Sequence, residues 1–211
     1  MTDFPDLRIT ELLSSRLCHE LASPVGAINN GIEMIEEFDE SMLPDALPLI
    51  GSSAKMVSAR LSFYRMAYGA AGTQSIASFA DLVALADDYF ADGRTALTWP
   101  ETVPDLENGW GKLLLNLLPL AADTLPRGGT LKVSVAGDAS SLVMRVDAEG
   151  EGARLSDECR AAMAPEASLD DLTPRSVHAY FVARLARRLS LGIDIEACGP
   201  DAIGFSATPP R

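Results

Sequence analysis

The sequence has little of what marks several common classes of protein. Its three cysteines are isolated, so no disulfide framework is expected and a reducing compartment is favoured. With 17 Lys and Arg against 30 Asp and Glu, the formal net charge is −13, which disfavours binding to nucleic-acid phosphates. No apolar run reaches the ~20 residues that span a membrane, and no signal peptide is evident. We therefore expect a cytoplasmic protein that binds neither nucleic acid nor membrane.

What the chain does have is enough length and apolar content for folded domains. Its 211 residues are 47% hydrophobic and 22% charged, which is typical of one large or two small globular domains. The acidic balance fits a protein with protein partners, although it does not select them.

A long amphipathic helix is predicted from about Ile9 to Asp39 because its apolar residues recur at steps of four and three. The stripe consists of Leu17, Leu21, Val25, Ile28, Ile32 and Ile35. His19 lies two residues past Leu17, about 200° round the helix at ~100° per residue. It should therefore point away from the buried stripe.

Small residues share the helix face of His19. Ser23, Gly26 and Asn30 follow it at spacings of four, three and four, and Ala27 lies beside them. A histidine with such neighbours is open to a large partner, as expected of a histidine that exchanges a phosphoryl group with another protein. A lone histidine is more often a residue without chemistry, so this interpretation depends on the surrounding pattern.

A second helix is predicted from about Leu49 to Tyr68, after a proline-containing turn over residues 41–48. Two long amphipathic helices joined by a short connection form an antiparallel hairpin. One hairpin has two apolar seams and cannot bury both alone. Pairing with a second chain would bury them in a four-helix bundle, so residues 1–70 predict a homodimer.

Residues 73–211 are predicted to form a second domain in which helices and strands alternate. Helices are expected over 79–90, 111–124 and 175–191, and strands over 96–99, 130–136, 141–147, 193–197 and 203–207. Helices combined with a mixed sheet indicate a two-layer α/β sandwich.

Two segments resemble sequence boxes of two-component histidine kinases. The order His19-Glu20-Leu21-x-x-Pro24 resembles the kinase H-box, with Ser23 where those kinases often carry Thr or Asn. The segment 111–121 resembles the N-box pattern N-L-L-x-N-A, which is matched by Asn116, Leu117, Leu118 and Ala121. The whole order resembles a kinase with an α+β fold, in which a dimerisation and phosphotransfer hairpin precedes an ATP-binding domain of the Bergerat type.

The nucleotide-binding boxes depart from the kinase pattern in three places. Leu120 stands where the kinase asparagine holds magnesium, and leucine offers no oxygen to a hard cation. In the D-x-G-x-G box, matching the glycines puts Ala148 at the aspartate position, with Asp147 one step out of register. The segment 173–180 contains no glycine, so its backbone is not expected to approach phosphates closely.

An intact phospho-acceptor helix before a degenerate nucleotide site is similar to the ChpT-type histidine phosphotransferases, over essentially the whole chain. The resemblance implies that His19 accepts a phosphoryl group from a receiver-domain aspartate of a hybrid histidine kinase and passes it to response regulators, without ATP. It also implies no cofactor in this chain, since the receiver would bring Mg²⁺. Glu20 would orient the imidazole. The expected partner contacts are Ser23, Gly26, Ala27, Asn30 and, on the second helix, Arg60.

Two other functions stay open at this point. An active histidine kinase would need ATP and Mg²⁺ to bind a site without its asparagine, aspartate and glycines, and a nucleotide-binding measurement would detect it. A non-catalytic dimeric scaffold or regulator could keep the kinase-like fold with a silent His19, and only an assay of phosphoryl transfer separates it from a relay.

Overall fold

The computed structural model of the chain describes residues 7–38, 40–69, 78–104, 106, 109–138 and 141–210. A helical hairpin comes first, and helices then alternate with strands. The helices are α1 (Leu7–Phe38), a 3₁₀ turn (Glu40–Met42), α2 (Leu43–Ala67), α3 (Phe79–Phe90), α4 (Trp110–Ala122), α5 (Asp157–Met163) and α6 (Val177–Arg188). The strands are β1 (Thr95–Thr98), β2 (Gly129–Ala136), β3 (Val143–Glu149), β4 (Gly192–Gly199) and β5 (Ala202–Thr208).

The second helix begins earlier than the sequence predicts, so the expected turn over residues 41–48 is wrong. Helix α2 starts at Leu43, and Pro44 lies in its first turn, where a proline removes no helical hydrogen bond. Pro48 lies inside the helix and is tolerated, although it leaves one carbonyl without its helical donor. Prolines therefore mark the first turns of this helix rather than a break before it.

The strands that the structure describes form one five-stranded sheet in the order β1-β2-β3-β5-β4. Strand β1 pairs with β2 in parallel, and the other pairs are antiparallel. Helices α4 and α6 cover one face of the sheet. Helix α4 is apolar around most of its circumference and buried over its length, as a helix with no solvent-facing side must be.

The hairpin shares its core with the sandwich. Phe63, Tyr64 and Ala67, near the end of α2, are buried in the same cluster as α3, α4 and the inner face of the sheet. The ring of Phe63 stacks on that of Tyr89 in α3, with centroids 4.0 Å apart. Most of the predicted boundary between the two domains, over residues 70–73, lies outside the described residues.

The α+β fold class expected from the sequence is confirmed, with a helical hairpin followed by a helix-covered mixed sheet. Helix α3 has its predicted bounds, and the strands fall within two residues of theirs. Within the parts of the chain that the structure describes, every helix is too short or too polar to traverse a lipid bilayer.

Candidate functional site

His19 lies on the exposed side of α1, as its helical phase predicts. Ser23 and Asn30 are exposed on the same helix, while Gly26 and Ala27 are half-buried. The histidine ring therefore lies next to a surface of small side chains. No bulky side chain of this helix face blocks the approach of a large partner.

Two glycines of α1 differ in what surrounds them. A Cβ added to Gly26 would meet no atom within 4 Å, whereas one added to Gly31 would lie 2.6 Å from Cγ1 of Ile50 in α2. Gly31 thus permits the two helices to pack closely. Packing within the chain does not explain Gly26, which leaves open space on the face next to His19.

Glu20 faces the rest of the protein rather than solvent. Its Oε1 accepts a hydrogen bond from Nε of Arg16 at 3.0 Å, and its Oε2 accepts hydrogen bonds from the hydroxyls of Tyr64 and Tyr89. Burial, and then the charges around them, raise the pKa of both tyrosines, so their hydroxyls stay protonated donors at neutral pH. Glu20 thus joins α1 to α2 and α3, and a role in orienting His19 stays a prediction.

Arg60 also makes a contact inside the chain. Its Nη1 donates a hydrogen bond to the backbone carbonyl of Glu20. The same turn of α1 is tied to the sandwich by Arg16, whose Nη2 lies 2.8 Å from Oδ2 of Asp123, just after α4. Sequence reasoning missed Arg16, Tyr89 and Asp123, because such contacts join residues up to 107 positions apart and have no local signal.

Several known proteins are similar to this chain in sequence and in structure. A family model described as "Histidine phosphotransferase C-terminal domain" matches residues 79–201. The protein phosphotransferase ChpT of Brucella abortus (strain 2308) is 38% identical over 207 residues, which cover 95% of each chain. The chain belongs to the histidine phosphotransferase family. A solved structure of a bacterial phosphotransferase is also similar, with 35% identity, a TM-score of 0.80 and coverage of 98% of each chain.

This histidine phosphotransferase therefore acts in phosphoryl transfer of the two-component type. The predicted recognition as a ChpT-type protein is confirmed. The comparisons do not test which residues carry out the transfer.

The residues of this phosphotransferase that resemble the kinase N-box bind the backbone of α2. Nδ2 of Asn116, which is fully buried, lies 2.8 Å from the carbonyl oxygen of Ala67 at the end of that helix. Nζ of Lys112 lies 2.8 Å from the carbonyl oxygen of Gly69. Asn116 thus supplies the donor that one of the last carbonyls of a helix lacks, and Lys112 binds the backbone just after the helix. Among the residues that the structure describes, no group of three or more His, Cys, Asp or Glu is placed to hold a metal ion.

The sheet shows what the register of the second kinase-like box means. Ala148 is fully buried on the face covered by helices. Asp147 lies on the opposite face, where its Oδ1 accepts a hydrogen bond from Nε of Arg145 at 2.7 Å, because neighbouring residues of a strand point to opposite faces. Asp147 is thus on the face away from the helices, opposite to Ala148, which stands at the aspartate position of the kinase pattern.

Side chains also fill the start of α6, where the kinase pattern has a glycine-rich loop. Ser176, Val177, His178 and Ala179 are all at most 1% exposed. The ring of His178 packs against that of Tyr68, with centroids 6.0 Å apart.

Proposed function

We propose that this protein relays a phosphoryl group through His19, from the receiver-domain aspartate of a hybrid histidine kinase to receiver aspartates of response regulators, without binding ATP. The observation that carries the proposal is the exposed His19 beside the open surface of Ser23, Gly26, Ala27 and Asn30. Only a macromolecular partner needs so large an unobstructed approach, and the family supplies the reaction class.

The chemistry at His19 needs a neutral ring with a free lone pair. Nε2 attacks the phosphorus of the aspartyl phosphate in line, so the N–P bond forms as the O–P bond breaks and the carboxylate leaves. The proton on Nδ1 stays on the ring during this exchange. The onward step is the reverse, with a carboxylate oxygen of the next receiver attacking phosphohistidine. Such transfer depends mostly on positioning and charge stabilisation, and the receiver's Mg²⁺ would supply much of the latter.

Three observations support a relay without ATP. The buried side chains at the start of α6 occupy the space in which a backbone would approach phosphates. Asn116 binds the end of α2, and Leu120 next to it is apolar. Ala148 offers no hydrogen-bonding group to an adenine. Each replaces one interaction with the nucleotide that the kinase pattern provides.

Exposed apolar side chains on the hairpin support a homodimer. They include Val25 and Ile32 on α1, and Leu47 and Leu61 on α2, each more than 40% exposed. Leu61 also lines an apolar groove of about 500 Å³, together with Leu17, Leu21 and Tyr64 among others. Apolar stripes of this kind on two antiparallel helices are buried when a second hairpin completes a bundle.

The test is phosphoryl transfer in the absence of ATP. A receiver domain labelled on its aspartate by radioactive acetyl phosphate is mixed with the protein and with its His19→Ala variant. We expect acid-labile label on the wild type and none on the variant, whose circular dichroism should match the wild type. Label that persists on the His19→Ala variant would show that another residue accepts the phosphoryl group. No label on either protein, over the receivers of the organism, would favour the scaffold.

A further inference from the structure

Pro24 leaves a gap in the hydrogen bonds of α1, one turn after His19. In an α-helix the N–H of residue 24 donates to the carbonyl of residue 20. Proline has no N–H, and its ring pushes the carbonyl four residues earlier away from the helix axis. Pro24 lies within α1 and is buried. The carbonyl of Glu20 therefore lacks its helical donor on a part of the helix that is shielded from water.

The structure supplies another donor to that carbonyl. Nη1 of Arg60 reaches from α2 and donates to the Glu20 carbonyl oxygen. A carbonyl that is shielded from water and has no donor destabilises the fold, and a hydrogen bond from a charged guanidinium is stronger than one from a neutral amide. Arg60 therefore replaces the missing N–H of Pro24 with a donor that belongs to a different helix.

We propose that Arg60 is a positioning residue for His19, and that it acts by fixing the course of α1 at Pro24, where a proline weakens the helix and favours a kink. His19 lies before Pro24, whereas Gly26, Ala27 and Asn30 lie after it. The course of the helix at Pro24 therefore sets the distance and angle between the nucleophile and the surface on which the partner docks. Arg60 binds the main chain of Glu20, and its carboxylate accepts hydrogen bonds from Arg16, Tyr64 and Tyr89. This turn of α1 is therefore held in place, while His19 stays exposed to solvent.

The inference rests on the proposed relay function and assigns Arg60 a role different from direct contact with the partner. The two roles predict different kinetics. A contact residue contributes to affinity, so its loss raises the receiver concentration that gives half-maximal transfer. A positioning residue contributes to geometry, so its loss lowers the transfer rate at saturating receiver, and a misplacement of ~1 Å can cost ~100-fold.

The experiment is single-turnover transfer from a labelled receiver domain to four full-length proteins: the wild type, Arg60→Ala, Pro24→Ala and the double variant. We expect Arg60→Ala to lower the saturating rate by about 10- to 100-fold with little change in half-saturation. In the double variant, the alanine that replaces Pro24 has a backbone N–H that can again donate to the Glu20 carbonyl. Transfer should therefore recover to within about twofold of Pro24→Ala.

The matched control is the double variant Arg60→Ala with Pro48→Ala. It also replaces a helix proline, but in α2 and far from the Glu20 carbonyl, so it should stay slow. Weaker half-saturation without recovery by Pro24→Ala would make Arg60 a partner contact and overturn the inference. An unchanged rate in Arg60→Ala would also overturn it.

The same proteins distinguish this inference from the relay itself. If the wild type takes up no label, the relay proposal fails, and the hydrogen-bond replacement at Pro24 is tested by thermal unfolding of the four proteins. Non-additive shifts in the unfolding temperature of the two single variants and the double variant support the hydrogen-bond replacement. Additive changes contradict it.

Discussion

At the scale of single residues, His178 is a titratable side chain in the core of the second domain. The ring is 1% exposed, and neither nitrogen has a hydrogen-bond partner among the described residues. Burial, and then the nearby charge of Arg16, lower the pKa of His178 to about 3. The imidazole is therefore neutral in the folded protein and acts as an aromatic packing residue beside Tyr68.

This burial predicts an acid-dependent loss of stability. The folded pKa is about 3 and the unfolded one is ~6.5, so the unfolded state binds the extra proton between these values. The contribution of neutral His178 is complete above pH ~6.5 and falls by up to ~1.4 kcal/mol per pH unit below it. Urea unfolding of the wild type and His178→Phe, from pH 7.5 to 4.5, should show a shallower slope in the variant. Equal slopes in the two proteins would mean that the His178 ring is protonated as readily in the folded state as in the unfolded state.

At the scale of elements, two glycines of α1 differ in their relation to α2. One is required for the packing of the two helices, and the other lies on an open surface. Gly31 lies against Ile50, and a methyl group there would overlap Cγ1 at 2.6 Å. Gly26 lies five residues earlier with open space around its Cα. Both are inside the same helix, where glycine is less favourable than alanine by ~0.5–1 kcal/mol.

Substitution of these two glycines by alanine should have opposite effects. Gly26→Ala should raise the free energy of unfolding by ~0.5–1 kcal/mol, while its methyl group slows transfer at the docking surface. Gly31→Ala should lower it by about 1 kcal/mol net, because overlap costs ~1–3 kcal/mol against the same gain in helix propensity. Chemical denaturation and the transfer assay measure both. A Gly26→Ala variant that is less stable but transfers normally would show that Gly26 is needed for folding and not for docking.

Sequence reasoning predicted the elements that have strong periodicity and missed those that depend on tertiary contacts. Helix α3 and the antiparallel strands follow from their patterns. Helix α5 was missed because its seven residues bury only Cys159 and Ala162, too few to give a periodic signal. The phase of α1 placed His19 and its small neighbours on the open side. It did not predict that Arg60 crosses to the Glu20 carbonyl, because nothing local fixes which residues of the two hairpin helices lie opposite each other.

At the scale of the whole molecule, hydrogen bonds and ion pairs join the sandwich to the end of the hairpin where α1 begins and α2 finishes. Nε of Arg8, near the start of α1, lies 2.8 Å from the carbonyl oxygen of Leu169, and its Nη2 lies 2.9 Å from that of Leu172. Arg16 binds Asp123, and Asn116 binds the end of α2. The second domain therefore supports this end of the hairpin directly.

The proposed homodimer predicts a specific sensitivity to charge on the hairpin. Leu61→Asp, at a position 52% exposed in the single chain, should raise the dimer dissociation constant by about 30-fold or more, as the loss of an apolar contact of ~2 kcal/mol would. Val143→Asp is the matched control, because Val143 is also an exposed apolar residue, at 40%, but lies on the sheet. Light scattering over a concentration series measures both. A wild type that is monomeric at micromolar concentration would contradict the dimer.

The register of β3 limits which substitutions could place a carboxylate on the helix-covered face of the sheet. Ala148 faces the helices and Asp147 faces away, so rotation of the Asp147 side chain does not bring its carboxylate to the inner face. A carboxylate at position 148 would instead bury an ionised group where the neighbouring side chains are apolar. Ala148→Asp alone would therefore destabilise the fold unless neighbouring residues supplied hydrogen-bond donors to the new carboxylate.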